Sequence, residues 1–175
     1  TPITVFDTAS LSKASLPPAT KRWLQAVGFK AAADSFALIP AADGSLGQVF
    51  AGVRDAHETY ALASLPRSLP EGRYCLAPEG LAVPPQTAAL AWELGSYFYD
   101  QYKAAPRVAA QLELASSDAA QRGLIMAGAI NATRDLVNTP AQHLGPAELA
   151  EAARLIAKQH GASFKQVVGD ALLAQ

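Results

Sequence analysis

The chain has 175 residues, half of them hydrophobic and 17% charged, with a formal net charge of -1. That composition supplies a core for one domain, or for one domain and part of a second, and excludes a disordered charged tail. Lys and Arg stand singly or in pairs such as Lys21-Arg22, so no basic stripe points to nucleic acid or to an anionic membrane surface. The longest apolar run, Leu124 to Ile130, is far short of the roughly 20 residues that span a bilayer. Cys75 is the only cysteine and cannot form an internal disulfide, and no signal-peptide pattern opens the chain, so a reducing cytoplasm is expected.

The first hundred residues read as short strands broken by turns and helices. Ile3 to Phe6 alternates weakly and predicts an edge strand. Pro17-Pro18 opens a helix carrying Trp23, Leu24 and Val27, which Gly28 stops. Ser35 to Ile39 and Gln48 to Val53 flank the turn Ala42-Asp-Gly44 and predict a hairpin. Thr59 to Leu65 and Gly72 to Leu76 are further strand candidates. Pro84-Pro85 announces a helix over Gln86 to Tyr102, with Ala91, Leu94, Gly95, Phe98 and Tyr102 at helical spacing. Trp92, Tyr97 and Tyr99 add aromatic surface around it, which reads first as an ordinary packed helix and second as a subunit contact.

Gln111 to Ala115 alternates as a strand. Asp118 and Gln121 have the spacing of an N-cap and its reciprocal partner. From Gly123 to Val137 the helix is apolar nearly all round, the pattern of an interior helix. Pro140 ends it near Asn138. A second, amphipathic helix runs from Pro146 to a cap at Gly161, with Leu149, Ala152, Ala153, Ile156 and Ala157 as its stripe. Ser163 to Val168 predicts a strand, and a last helix opens at Gly169-Asp170 and runs to Gln175, as in a chain cut within a motif. The chain starts with Thr1 rather than Met, which predicts processing or trimming.

Residue types that carry chemistry are sparse. Asp55, His57 and Glu58 bring three potential ligands into four residues, but on a strand Glu58 faces away from the other two, and in a turn all three meet water. The reading is a solvated turn. His143 sits in a turn and His160 at a helix end, where a cation suits the macrodipole. No two histidines have the i, i+4 spacing of a zinc-binding pair. Nucleophile elbows, redox cysteine pairs and phosphate loops are absent from the sequence. Cys75 reads as a small buried thiol in a strand, and Glu148 and Glu151 as acidic residues favoured early in a helix.

The segment Arg134-Asp-Leu-Val-Asn-Thr-Pro-Ala-Gln-His-Leu-Gly-Pro146 closes one helix, turns, and opens the next. It resembles the domain junction of the cytosolic leucyl aminopeptidases, hexameric two-metal exopeptidases. The resemblance covers roughly residues 118–175, and residues 1–117 by general layout. It departs at Gly145, where members often carry Thr or Ser. It implies an α/β fold with a mixed sheet and flanking helices, similar to macro domains, over 1–140. Residues 141–175 would then be the junction, a connecting helix and the start of a catalytic domain.

Further implications concern the parent enzyme: removal of N-terminal residues from peptides, two divalent ions (zinc, manganese or magnesium), a homo-hexamer, and a C-terminal catalytic domain as partner. Family metal ligands and catalytic residues lie beyond this stretch, so none is assigned here and the chain reads as a non-catalytic front end serving assembly and active-site access. The alternative is a module binding a small ligand of nucleotide or ADP-ribose type. The dispersed glycines weigh against it, because a phosphate cradle needs closely spaced backbone amides.

Overall fold

The computed structural model describes residues 1–174. The chain folds as two units, Thr1–Asn131 and a second from Ala132 onward. In the first unit five strands form one sheet: β1 (Pro2–Phe6), β2 (Phe36–Pro40), β3 (Leu46–Gly52), β4 (Arg73–Gly80) and β5 (Gln111–Glu113), in the order β2-β3-β1-β4-β5. β2 and β3 form the expected antiparallel hairpin. β1 lies parallel to β3 and β4, and β4 parallel to β5.

β1 is therefore the central strand, not an edge. Its alternation is weak because both its faces are covered, as in parallel sheets generally. Ile3 and Val5 enter one core with Val49, Ala51 and Tyr74, while Phe6 enters another with Phe29, Phe50 and Leu24. The first core is closed by α3 (Leu65–Ser68) and α4 (Pro85–Ser96), which contribute Leu65, Ala88, Ala91 and Trp92. The second is closed by α2 (Pro18–Ala26) through Leu24, with Leu11 of α1 (Thr8–Lys13) packed against it. Gly28 has φ +69° and stops α2 as expected.

Other expectations need correction. Thr59 to Leu65 forms no strand: Ala61, Ala63 and Leu65 each donate a backbone N–H three residues back, a chain of turns leading into α3. Leu62, Leu65 and Leu69 are fully buried, and their i, i+3, i+7 spacing follows a helical face. α4 ends at Ser96, six residues before Tyr102. Tyr97 already has extended backbone, and the Phe98 ring lies under the Arg67 guanidinium, 5.2 Å from its centroid.

α5 (Asp118–Asn138) is capped one residue earlier than expected, by the Ser117 hydroxyl accepting the Ala120 N–H at 3.1 Å. Nor is it an interior helix among the described residues. Ala120, Gly123 and Ala127 are buried, whereas Leu124, Ile125 and Met126 are exposed. Its small residues allow close approach on one side: a Cβ at Gly123 would stand 2.4 Å from the Gln86 carbonyl oxygen.

In the second unit, α6 (Pro146–Gln159) opens with the Gly145 N–H donating to Glu148 Oε2 at 3.0 Å, and Gly161 follows it at φ +65°. Residues 163–168 form no strand. An isolated strand leaves its ladder groups unpaired, so alternation alone does not make one. A 3-10 helix occupies Gly169–Ala174.

Candidate functional site

The connections fix where a site can form. From β1 the chain passes through α1 and α2 on one face to the β2–β3 hairpin. From β3 it passes through α3 on the other face to β4. At the carboxyl end of β1 the connections part to opposite faces, the place where open α/β sheets present a crevice. A cavity of about 530 Å³ lies there, within the range of small-molecule sites.

Its floor is the second face of β1 and β3. Thr4, 2% exposed, is the one buried polar residue among the described residues. Its hydroxyl oxygen accepts from Gln48 Nε2 at 2.7 Å. Phe6 and Phe50 meet edge to face beside this pair, ring centroids 5.1 Å apart. Leu16 and Leu81 add apolar wall, and Lys13 and Glu79 bring opposite charges to the same cavity.

One wall needs glycine. Gly80 has φ +87°, and a Cβ there would stand 2.4 Å from the Val5 carbonyl oxygen, the same oxygen that accepts the Leu81 N–H at 2.8 Å. A side chain at 80 would strain the backbone and push β4 off β1.

Asp7 follows β1 and caps α1. Its Oδ1 accepts the Ser10 N–H at 2.6 Å, and its own N–H donates to Ser10 Oγ at 2.9 Å. The Ser10 N–H bond first, with the Ser10 hydroxyl adding to it, holds the Asp7 carboxyl below its usual range. A carboxylate therefore occupies the α1 N-terminus. The sequence signal is Asp7-x-x-Ser10 after the apolar run Ile3 to Phe6, a capping box with Ser where Glu or Gln is usual.

The residues singled out by sequence do not assemble into this cavity. Asp55 Oδ1 accepts the His57 N–H at 2.9 Å, and Glu58 pairs with Arg54 at 3.3 Å, so the trio sits in a hydrogen-bonded turn. His143 lies in the turn after α5, its N–H donating to the Pro140 carbonyl, and His160 caps α6 by donating to the Ile156 carbonyl. Glu148 serves the Gly145 cap, and Glu151 makes a two-bond pair with Arg154 at 2.5 and 2.6 Å. That pairing holds the Glu151 carboxyl below its usual range.

Cys75 is exposed rather than buried. The pleat of β4 puts Tyr74 into the core and turns its neighbour to the opposite side. Among the described residues no three His, Cys, Asp or Glu side chains are grouped to hold a metal ion. No helix among them is long and apolar enough to cross a membrane.

Comparison with known proteins places this arrangement. Residues 2–115 match the family model described as M17 aminopeptidase, N-terminal domain. Among solved structures, a cytosol aminopeptidase from Coxiella burnetii is similar over 99% of this chain and 38% of its own, with 30% identity and a TM-score of 0.86. The bottromycin maturation enzyme BotP is similar over 99% of this chain and 40% of its own, with 26% identity and a TM-score of 0.76. A tomato leucine aminopeptidase mutant, 17% identical with a TM-score of 0.62 over 91% of this chain and 40% of its own, shares the fold. The chain thus spans about two fifths of the solved proteins it resembles, and comparison with curated protein sequences gives no match. With the family model covering residues 2–115 and the mixed five-stranded sheet in place, the chain belongs to the M17 aminopeptidase family and carries its N-terminal domain.

Proposed function

We propose that this chain is the non-catalytic N-terminal portion of a cytoplasmic, metal-dependent leucyl aminopeptidase that removes N-terminal residues from peptides. The observation that carries this reading is the match of residues 2–115 to the family's N-terminal domain. Its boundary falls near residue 140, and residues 141–175 form the junction and the first part of a catalytic domain that supplies two divalent ions and the reacting groups. A BotP structure that holds manganese supports divalent metal in the parent enzyme. Manganese, zinc and magnesium all suit the activation of water and the polarisation of a peptide carbonyl.

The role of this portion is assembly of a homo-hexamer and control of access to the active sites. What supports it is apolar surface left partly bare on α5, where Leu124, Ile125 and Met126 are exposed, since bare apolar surface suits an interaction. A nucleotide or ADP-ribose role is disfavoured, because Asp7 puts a carboxylate where a diphosphate would need backbone amides.

The test is release of leucine from a leucyl anilide by the purified 175-residue chain with added manganese or zinc. No turnover is expected. Turnover that a chelator abolishes would overturn the non-catalytic reading and return attention to Asp55 and His57. A protein extended through the catalytic domain is expected to turn over, and its failure with all three metals would overturn the aminopeptidase assignment of the parent.

A further inference from the structure

We propose that the cavity at the carboxyl end of β1 binds a small zwitterion with an apolar body, an apolar α-amino acid or a short peptide of such residues with free ends. The position, at the point where the connections part to opposite faces of the sheet, is where α/β sheets take ligands. The volume, about 530 Å³, suits a molecule of amino-acid to dipeptide size. The walls are apolar at Phe6, Phe50, Leu16 and Leu81, and the floor is polar at the Thr4–Gln48 pair.

The charges at the rim decide the class. Lys13 and Glu79 line the same cavity, yet among the described residues neither takes part in an ion pair. Other charges of the chain do pair, Arg54 with Glu58, Arg73 with Glu113 and Arg154 with Glu151. A cation and an anion beside one apolar cavity, neither satisfied by the other, match the carboxylate and the ammonium of a single ligand. A phosphate-bearing ligand fits less well, since Glu79 and the Asp7 carboxylate beside Ser10 would both repel it. An uncharged apolar ligand would leave both rim charges unused.

The cavity and its lining suffice for such a site. The aminopeptidase reading adds only a source, since such an enzyme releases free amino acids and shortened peptides, and a site of this kind on its front domain would sense them.

The experiment is a titration of the 175-residue chain followed by amide NMR, with leucine and with leucyl-leucine as separate arms. Control arms are N-acetyl-leucine, leucine amide and ADP-ribose. Saturable shifts confined to residues around Phe6, Gln48 and Gly80 are expected for one or both zwitterions, and which arm saturates at lower concentration distinguishes a single residue from a peptide. Acetylation or amidation is expected to weaken binding by about tenfold or more, the scale of one lost charge-assisted bond. Lys13→Met and Glu79→Gln are each expected to do the same without changing the thermal melt.

No saturable shift with either zwitterion overturns the proposal. So does equal binding of the capped forms, which would mean an apolar cavity that ignores charge, and so does a preference for ADP-ribose. Should either variant unfold, the capped ligands on the unaltered chain still decide. Because binding is read without turnover, a failure here leaves the aminopeptidase reading untouched, and the anilide assay leaves this one untouched.

Discussion

At the scale of single residues, Asp7 and Trp92 show how one side chain can serve a whole element. Asp7 contributes through its ionised form, because its folded-state pKa is lowered by the Ser10 bonds. A lowered folded pKa means that the contribution is complete above the unfolded carboxyl value, about 3.9, and is lost as pH falls through the lower folded one. Asp7→Ala should therefore lower the melting temperature at neutral pH, and the gap between variant and parent should shrink on acidification. Melts showing a constant gap down to about pH 2, well below that unfolded value, would remove the charge from the explanation. Trp92 is 3% exposed, and its Nε1–H donates to the Ala110 carbonyl at 2.8 Å, tying α4 to the segment that leads into β5. Trp92→Phe keeps most of the ring but leaves that carbonyl without its donor, and should cost about 1–3 kcal/mol, read as a lower urea midpoint at unchanged slope.

At the scale of elements, two glycines of α5 separate packing from propensity. A Cβ at Gly123 would meet the Gln86 backbone at 2.4 Å, whereas one at Gly128 would meet nothing within 4 Å. Gly128→Ala should thus stabilise by up to about 1 kcal/mol, the propensity gain alone. Gly123→Ala receives the same gain but must force α5 from α4, a strain of about 1–3 kcal/mol, and should come out destabilising or at best neutral. Urea unfolding of both variants checks the pair, and equal effects would mean that α5 does not touch α4 at Gln86. The elements legible from sequence were those with punctuation of their own: the hairpin around Asp43-Gly44, α2 after Pro17-Pro18, and α4 after Pro84-Pro85. β1 was found but misplaced in the sheet, since which strands flank it depends on connections and not on its own alternation. Residues 163–168 alternate as a strand would, yet no partner strand pairs with them among the described residues. The cavity was illegible for a related reason. Thr4, Gln48 and Gly80 lie far apart in sequence and meet only through the parallel pairing of β1 with β3 and β4, so no spacing rule brings them together.

At the scale of the whole molecule, apolar surface is placed in two different ways. Around β1 it is turned inward, where Ile3, Val5, Val49 and Leu62 are fully or almost fully buried. On α5 it is turned outward, where Ile125 is 61% exposed beside Leu124 and Met126 at 43% each. A helix nearly apolar all round and yet half bare has more greasy surface than its own unit uses, which is why the sequence pattern pointed to an interior helix. The assembly role proposed for this domain puts that surface against another subunit. Ile125→Glu tests it with little risk to the fold, because a surface substitution away from packed or capped features shifts stability by no more than about 0.5 kcal/mol. The expected outcome is an unchanged thermal melt of the 175-residue chain together with a smaller mass, by light scattering, of the longer protein for which assembly is proposed. The Tyr99 and Tyr102 rings, which stack edge to face at 5.8 Å outside any helix, give the comparison: Tyr99→Ala should leave the mass of the assembly as it is. A mass that falls with Tyr99→Ala and not with Ile125→Glu would move the contact from α5 to the aromatic loop after α4. A mass that neither change alters would take assembly away from both.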